Sequence, residues 1–159
     1  MCPKTKEQYA QIRQASSEKI LSAALKLFAR YGFHGTSMSK IAEEAGISAG
    51  LTYNYFESKN ELLKALMYNY IDDIRSIVEQ VQTIKDPKEQ VVSYINLTFD
   101  YVHNHPDTYR LSMNVFMHPD LLKHFPDVRT TYDKELSAYR NTLVDNMEAL
   151  GFEDPENEA

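Results

Sequence analysis

Apolar side chains recur at spacings of three and four residues along most of this 159-residue chain, and this pattern constrains its fold most strongly. Such spacing places side chains on one face of an α-helix, whereas a half-buried strand needs strict alternation. No stretch shows that alternation. Four of the five glycines lie between Gly32 and Gly50, and prolines mark the later breaks. The sequence therefore predicts an all-α fold.

The first helix is predicted to follow a polar segment, residues 1–15, that we expect to be flexible. Either Ser16 or Ser17 is able to cap its N-terminus. Gly32 is expected to end it, since glycine readily adopts the conformations that stop a helix.

Two short helices should follow, arranged as a helix-turn-helix. Thr36 and Ser37 are candidate caps for the second helix. Gly46 is able to take the positive φ that a tight turn between two helices requires. Ser48 is predicted to cap a short third helix that reaches about Tyr55 and would serve as a recognition helix.

The remaining helices are marked by caps and apolar stripes. Ser58 and Glu61 match a capping box at the start of a long fourth helix. Asp86 and Pro87 should open a fifth helix. The last helix, 128–150, carries a sustained apolar stripe that could pack inward or face a partner.

The segment from Thr36 to Leu63 reads TSMSKIAEEAGISAGLTYNYFESKNELL. It resembles the DNA-binding signature of the TetR family of transcriptional regulators, and the resemblance covers about residues 17–66. The positions that carry it are Ile41-Ala42, Ala45-Gly46-Ile47-Ser48, Gly50, Tyr53, Tyr55-Phe56, Ser58-Lys59 and Glu61-Leu62-Leu63, with Leu27-Phe28, Gly32-Phe33 and Gly35-Thr36 upstream.

The resemblance implies a three-helix DNA-binding domain over residues 16–64. A long fourth helix would join it to a helical ligand-binding and dimerisation domain over residues 65–159. Members of the family usually continue through two further helices that pack across a dimer interface. The chain is therefore expected to be a fragment, a short variant or a chain that lacks its last part.

The resemblance also implies which residues meet DNA. Contacts to phosphates fix the register of a protein on the duplex, and contacts to base edges read its sequence. Phosphate contacts are expected from Tyr53, Tyr55, Lys59, Thr36 and Ser37. Base-edge contacts are expected from Ser48, Ala49, Gly50, Thr52 and Asn54. Thr52 stands where the family more often has a large aliphatic residue, so whether Leu51 or Thr52 faces the core is left open.

The charge distribution agrees with double-stranded DNA as the partner of the N-terminal part. Residues 1–64 hold nine Lys/Arg and six Asp/Glu, a net charge of +3, although the whole chain carries −6. Residues 65–159 carry the remaining −9. Because phosphates repel this acidic part, it should face away from the duplex.

The second domain is expected to bind a small, largely apolar effector. Its candidate lining residues, mostly Met and aromatic, are Met67, Tyr70, Tyr94, Phe99, Met113, Phe116, Met117 and Tyr139. The leading hypothesis is a homodimeric repressor that the effector releases from a palindromic operator. The alternative is a DNA-binding regulator that is constitutive or controlled by a protein partner.

Other classes of function find little support. No phosphate-binding loop, nucleophile elbow or zinc signature is present, so we expect no enzyme and no cofactor. The four histidines of the second half, His103, His105, His118 and His124, suit helix ends better than a metal site. Cys2 is the only cysteine, and no apolar run is long enough to span a membrane. A cytoplasmic protein is the simplest expectation.

Overall fold

The computed structural model describes residues 5–152, and within this range every regular element is an α-helix. The chain divides into two compact units, residues 1–66 and 67–159. The helices, in chain order, are α1 (Lys6–Tyr31), α2 (Met38–Ala45), α3 (Ala49–Tyr53), α4 (Lys59–Gln82), α5 (Pro87–Asn104), α6 (Pro106–Phe116), α7 (Pro119–Leu122) and α8 (Pro126–Ala149). The predicted all-α fold is confirmed.

The first helix begins ten residues before the predicted start. Thr5 and Gln8 form a capping box in which each side chain accepts a hydrogen bond from the other's backbone N–H. Residues 6–15 are therefore helical, and the predicted start at Ser16 or Ser17 is wrong. These residues are exposed, so they carry no apolar stripe. A strong cap and good helix formers extend a helix whose other end is already packed. Residues 1–4 lie outside the described range.

The caps predicted for the helix-turn-helix are confirmed. Ser37 accepts a hydrogen bond from the backbone N–H of Lys40 at the start of α2. Gly46 ends α2 with φ 69° and ψ 32°, the left-handed conformation, and Ser48 caps α3. Because Gly46 turns the chain within three residues, α2 and α3 pack against each other while α3 remains at the surface.

The core of the first unit joins α1, α2 and the start of α4. Its members are all apolar and nearly inaccessible to solvent: Ile20, Ala23, Ala24, Phe28, Ile41, Ala42, Phe56, Leu62 and Leu63. Burial of such side chains contributes about 1.5–3 kcal/mol for each large residue. This apolar contact fixes the frame on which the short α3 is carried.

Lys59 ties the start of α4 to the turn between α1 and α2. Its ammonium group donates hydrogen bonds to the backbone carbonyls of Phe33 at 2.7 Å and Thr36 at 2.9 Å. It also lies 4.3 Å from the ring centroid of Phe33, within the range of a cation–π interaction. Glu61 meanwhile accepts from the N–H of Glu57, so the predicted capping box closes one residue further back than expected.

The second unit is built from the rest of α4 together with α5 to α8. Asp86 caps α5 by accepting from the N–H of Glu89, and Pro87 occupies the first turn, as predicted. The buried residues of α4 in this unit are Met67, Tyr70, Ile71, Ile77, Val78 and Val81. Leu111, Val115, Leu122, Phe125 and Val128 complete the core from α6, α7 and the start of α8.

The two glycines of the helix-turn-helix should respond oppositely to substitution. We expect Gly46→Ala to lower the free energy of unfolding by about 1 kcal/mol, because a Cβ is strained at its positive φ. Gly50→Ala should raise it by about 0.5 kcal/mol, since Gly50 is helical and a Cβ there meets nothing within 4 Å. Urea unfolding followed by circular dichroism measures both changes in the free energy of unfolding. Changes of the same sign would contradict the expected difference between the two glycines.

Removal of the Lys59 ammonium should loosen the turn between α1 and α2. We expect Lys59→Met, which keeps an unbranched side chain but removes the ammonium group, to cost about 2 kcal/mol, because two carbonyls lose a charged donor. Lys40→Met is the matched control, since its ammonium reaches only the carbonyl of Gly35, at 3.4 Å. A cost no larger than that of the control would show that the Lys59 contacts contribute little.

Candidate functional site

The exposed face of α3 offers small and polar groups close to the backbone. Ser48, Ala49, Gly50 and Asn54 are exposed, and Tyr53 keeps 51% of its surface accessible. A Cβ at Gly50 would meet nothing within 4 Å, so this side of the helix is open to close approach. Five of the predicted DNA-contacting residues thus lie together on one short helix and its ends.

Burial decides the question that the sequence left open between Leu51 and Thr52. Thr52 is fully buried, and its hydroxyl donates to the carbonyl of Ser48 at 3.2 Å. Leu51 stays 40% exposed. The threonine is able to enter the core because the carbonyl one turn earlier satisfies its hydroxyl. The predicted base contact through the Thr52 side chain is therefore wrong.

Thr36 is also turned inward. Its hydroxyl lies 2.9 Å from the carbonyl of Gly32 and 3.2 Å from that of Leu27, and the residue is buried. A side chain held in this way has no hydrogen left for a phosphate, so that predicted role is wrong. Ser37, the adjacent predicted contact, is exposed and caps α2. Of the two neighbours, only Ser37 is exposed to solvent.

Tyr55 has a cationic neighbour that the sequence did not indicate. The residue is half-buried, and the guanidinium carbon of Arg13 lies 5.2 Å from the centroid of its ring. Arg13 was assigned to the segment expected to be flexible, but the extension of α1 carries it to this position. The pair could have been predicted only if α1 had been known to continue through residues 6–15. No apolar stripe in the sequence indicates that continuation.

The ammonium group of Lys59 retains one hydrogen-bond donor beyond its contacts within the protein. Burial lowers the pKa of its ammonium group below the ordinary value for lysine. Two of its three N–H groups reach the carbonyls of Phe33 and Thr36. One donor is left for an external acceptor, so the lysine has a structural role and retains the chemistry that a phosphate contact needs.

A cavity of about 90 Å³ lies inside the second unit, between α4, α5, α6 and α8. Three of the predicted ligand contacts, Tyr70, Tyr94 and Tyr139, line it. Three further tyrosines, Tyr101, Tyr109 and Tyr132, line it as well, with Thr98 and Glu135 as the other polar residues. The apolar part of the lining is Ile71, Ile74, Val102 and Leu136.

The other predicted ligand contacts lie elsewhere. Phe99 and Met117 are 72% and 76% exposed, so their assignment to a pocket is wrong. Met67 is buried in the core, and Met113 and Phe116 are half-buried but do not line the cavity. Amino-acid type alone led to these assignments, because an aromatic or Met residue suits a core, a surface and a pocket equally.

Helical spacing could have found the lining residues that composition missed. Tyr94, Thr98 and Tyr101 stand four and three residues apart on α5, and Tyr132, Glu135 and Tyr139 stand three and four apart on α8. Such spacing places each trio on one helix face. Two tyrosine-bearing faces that pack together are a sequence signal for a tyrosine-lined cavity.

Burial raises the pKa of four of the tyrosines that line the cavity. It raises the pKa of Tyr70 to about 12, and it also raises the pKa values of Tyr101, Tyr132 and Tyr139. The hydroxyl of Tyr101 donates to the carboxylate of Asp73 at 2.9 Å, which raises its pKa further. None of these phenols supplies a negative charge near neutral pH.

Neither a metal site nor a membrane span stands out in the described part of the chain. Within residues 5–152, no group of three or more His, Cys, Asp or Glu side chains is placed to hold a metal ion. No helix in that range combines the length and apolar character that crossing a membrane requires.

Comparison with known proteins agrees with this architecture. Residues 20–66 match the family model of bacterial regulatory proteins of the tetR family. The transcriptional activator FasR of Mycolicibacterium smegmatis is 32% identical over 94 residues, which are 58% of this chain and 43% of FasR. The transcriptional regulator RutR of Escherichia coli O157:H7 is 32% identical over 137 residues, 86% of this chain and 60% of RutR.

The chain thus spans about half of the length of these curated relatives. Among solved structures, AibR in complex with isovaleryl coenzyme A and operator DNA superimposes with a TM-score of 0.67 at 21% identity, covering 86% of this chain and 72% of AibR. That likeness concerns the fold. The match over residues 20–66 identifies the helix-turn-helix segment of this chain as one of the TetR family of bacterial regulatory proteins.

Proposed function

We propose that the protein is a sequence-specific, DNA-binding transcriptional regulator and not an enzyme. The observation that carries the proposal is the exposed face of α3, held by a left-handed turn at Gly46 inside the family-matched segment. A helix presented in this way fits the major groove of B-DNA, which is wide enough to admit one.

The exposed side chains suggest distinct roles on the duplex. Ser48, Ala49, Gly50 and Asn54 would lie near base edges, where Ala49 could contact a thymine methyl and Asn54 could pair with adenine. Tyr53, Tyr55, Ser37 and Lys59 would contact phosphates, with Tyr53 the most accessible of the aromatic pair. We add Arg13 to this phosphate-facing set, since its guanidinium lies beside Tyr55.

We infer that the regulator works as a homodimer on a palindromic operator, in the cytoplasm. A single α3 of five residues reads only a few base pairs, and two-fold symmetry doubles the sequence that is read. The acidic second unit would be kept away from the phosphates by charge repulsion.

We further propose that a small molecule in the cavity of the second unit releases the repressor from DNA. Helix α4 supports this route because it begins at Lys59 in the first unit and carries Tyr70, Ile71 and Ile74 on the cavity wall. A ligand acts only by binding one position of α4 more tightly than the other. AibR, which shares the fold, was solved in complex with isovaleryl coenzyme A and operator DNA.

Control by a protein partner is the second candidate. Helix α5 exposes an apolar stripe, formed by Val92, Ile95 and Phe99, that is 47–72% accessible. Such a stripe suits a protein surface. The two candidates differ in the cavity, because a partner at this stripe leaves the cavity without a role.

Substitution of Tyr53 should separate DNA binding from folding. We expect Tyr53→Phe to weaken operator binding about tenfold, because the hydroxyl contact to a charged phosphate is lost, and Tyr53→Ala to weaken it further. The operator is first selected from a random duplex pool, and affinity is then measured by fluorescence anisotropy at two salt concentrations.

Tyr31→Ala is the matched control for Tyr53, since Tyr31 is 53% exposed on α1 and carries no predicted contact. It should bind the operator as the wild type does. Recovery of a palindrome supports the dimer. Wild-type affinity in the Tyr53 variants, or selection without any enriched sequence, would contradict the proposed reading of DNA by α3.

Arg13 offers a second test of the same surface. We expect Arg13→Gln to weaken operator binding roughly three- to tenfold and to reduce the slope of log affinity against log salt by about one, as loss of one phosphate contact does. Arg30→Gln is the control, because Arg30 lies over the ring of Tyr31 at a similar 5.3 Å. If the two substitutions weaken operator binding equally, Arg13 has only a general electrostatic role.

A further inference from the structure

The cavity of the second unit has an unusual combination of groups for an apolar pocket. Six tyrosine rings and one carboxylate, that of Glu135, line it. Among the described residues of its wall, none is a Lys, Arg or His. An anionic ligand would therefore meet a carboxylate and no counter-charge, which makes its transfer from water costly.

Contacts within the protein limit what the tyrosines offer a ligand. Tyr101 donates to Asp73 at 2.9 Å, and the rings of Tyr94 and Tyr139 stack with centroids 3.8 Å apart. A donor bound to a carboxylate makes its ring richer in electrons. Tyr101 therefore retains mainly the π-surface of its ring for a ligand, and Tyr94 and Tyr139 each retain the ring face outside their stack. Such surfaces attract cations.

Two polar atoms of the wall are left without a full complement of partners. The hydroxyl oxygen of Thr98 is buried and has no hydrogen-bond partner. Arg75 contacts only one carboxylate oxygen of Glu135. Nε and Nη2 of Arg75 lie 3.0 Å and 2.9 Å from Oε1 of Glu135. Arg75 also divides its charge with Asp72, at 2.6 Å. Oε2 of Glu135 is thus the carboxylate oxygen that Arg75 does not engage.

We propose that this cavity binds a small organic cation of the alkylammonium class, held by the tyrosine rings with Glu135 as its counter-ion and Thr98 as a hydrogen-bonding partner. The inference rests on the proposed function, in which this cavity is the effector site, and it names the class of effector. The cavity volume of about 90 Å³ favours a compact cation.

Three probes of equal shape and different charge test the proposal on the full chain. Choline carries the cation, 3,3-dimethyl-1-butanol is its uncharged carbon analogue, and 3,3-dimethylbutyrate is an anion of similar shape. Calorimetric titration without DNA should give binding of choline, at least tenfold weaker binding of the alcohol and no binding of the anion. Equal affinity for choline and the alcohol, or no binding of choline, would overturn the proposal.

Two substitutions at one ion pair distinguish a counter-ion from a structural contact. Glu135→Gln should weaken choline binding about tenfold, because it removes the charge. Arg75→Gln should strengthen it about threefold, because it frees that charge for the ligand. A purely structural role predicts that both weaken binding, since both break the same bridge. Glu148→Gln, an exposed carboxylate on the same helix as Glu135, should leave binding unchanged.

The role of the rings is tested at Tyr139. Tyr139→Phe keeps the ring and should bind choline nearly as the wild type does, whereas Tyr139→Leu should lose about fivefold. Circular dichroism melts of each variant establish that it is folded. Equal affinities of the Phe and Leu variants for choline would overturn the proposed binding of the cation by the tyrosine rings.

DNA binding is scored separately, so that the two proposals fail independently. Tyr53→Ala should lose operator binding and still bind choline. Operator binding without choline binding overturns the effector class alone. If choline binds but no selection enriches an operator, the proposed cation site is supported and the proposed function is contradicted.

Discussion

The turn between α1 and α2 is the point on which the first unit depends. Its carbonyls are engaged from two sides: Thr36 bonds those of Gly32 and Leu27, and the ammonium of Lys59 bonds those of Phe33 and Thr36 itself. A turn with several unpaired carbonyls near a packed core would be costly. Once it is held, α2 has one position against α1, and the short α3 follows through Gly46. The exposed face of α3 is thus positioned by residues that face away from it.

Tyrosine serves the two units in opposite ways, and burial makes the difference. In the first unit, Tyr53 is exposed and its hydroxyl is available to a phosphate. In the second unit, Tyr101 uses its hydroxyl inside the protein, on Asp73, and burial keeps the phenol neutral. The same type of side chain therefore offers its hydroxyl at the surface of the first unit and its ring in the cavity of the second unit. Counting tyrosines along the chain does not separate these uses, because both occur at helical spacing.

The charges of the chain are also divided by function. A basic first unit agrees with a phosphate partner, whereas the cavity of the acidic second unit has a carboxylate and no basic residue in its described wall. The ion pair between Arg75 and Glu135 moderates that charge without cancelling it, because Arg75 also contacts Asp72. A regulator built in this way would meet an anion at one unit and a cation in the other.

Many helix ends could be predicted from sequence, because they depend on local chemistry. Ser37, Gly46 and Ser48 in the first unit and Asp86 in the second act at the positions expected of them, since a cap or a positive φ is decided within a few residues. The inward turn of Thr52, the contacts of Lys59 and the place of Arg13 beside Tyr55 were decided only by tertiary structure. The same is true of the cavity wall, where Phe99 and Tyr101 differ in exposure because they lie on different faces of one helix. By itself, the sequence determined the all-α fold, most helix ends and the resemblance to the TetR family, but not the start of α1. The fold decided which side chains each surface receives, because burial and pairing depend on residues distant in the chain.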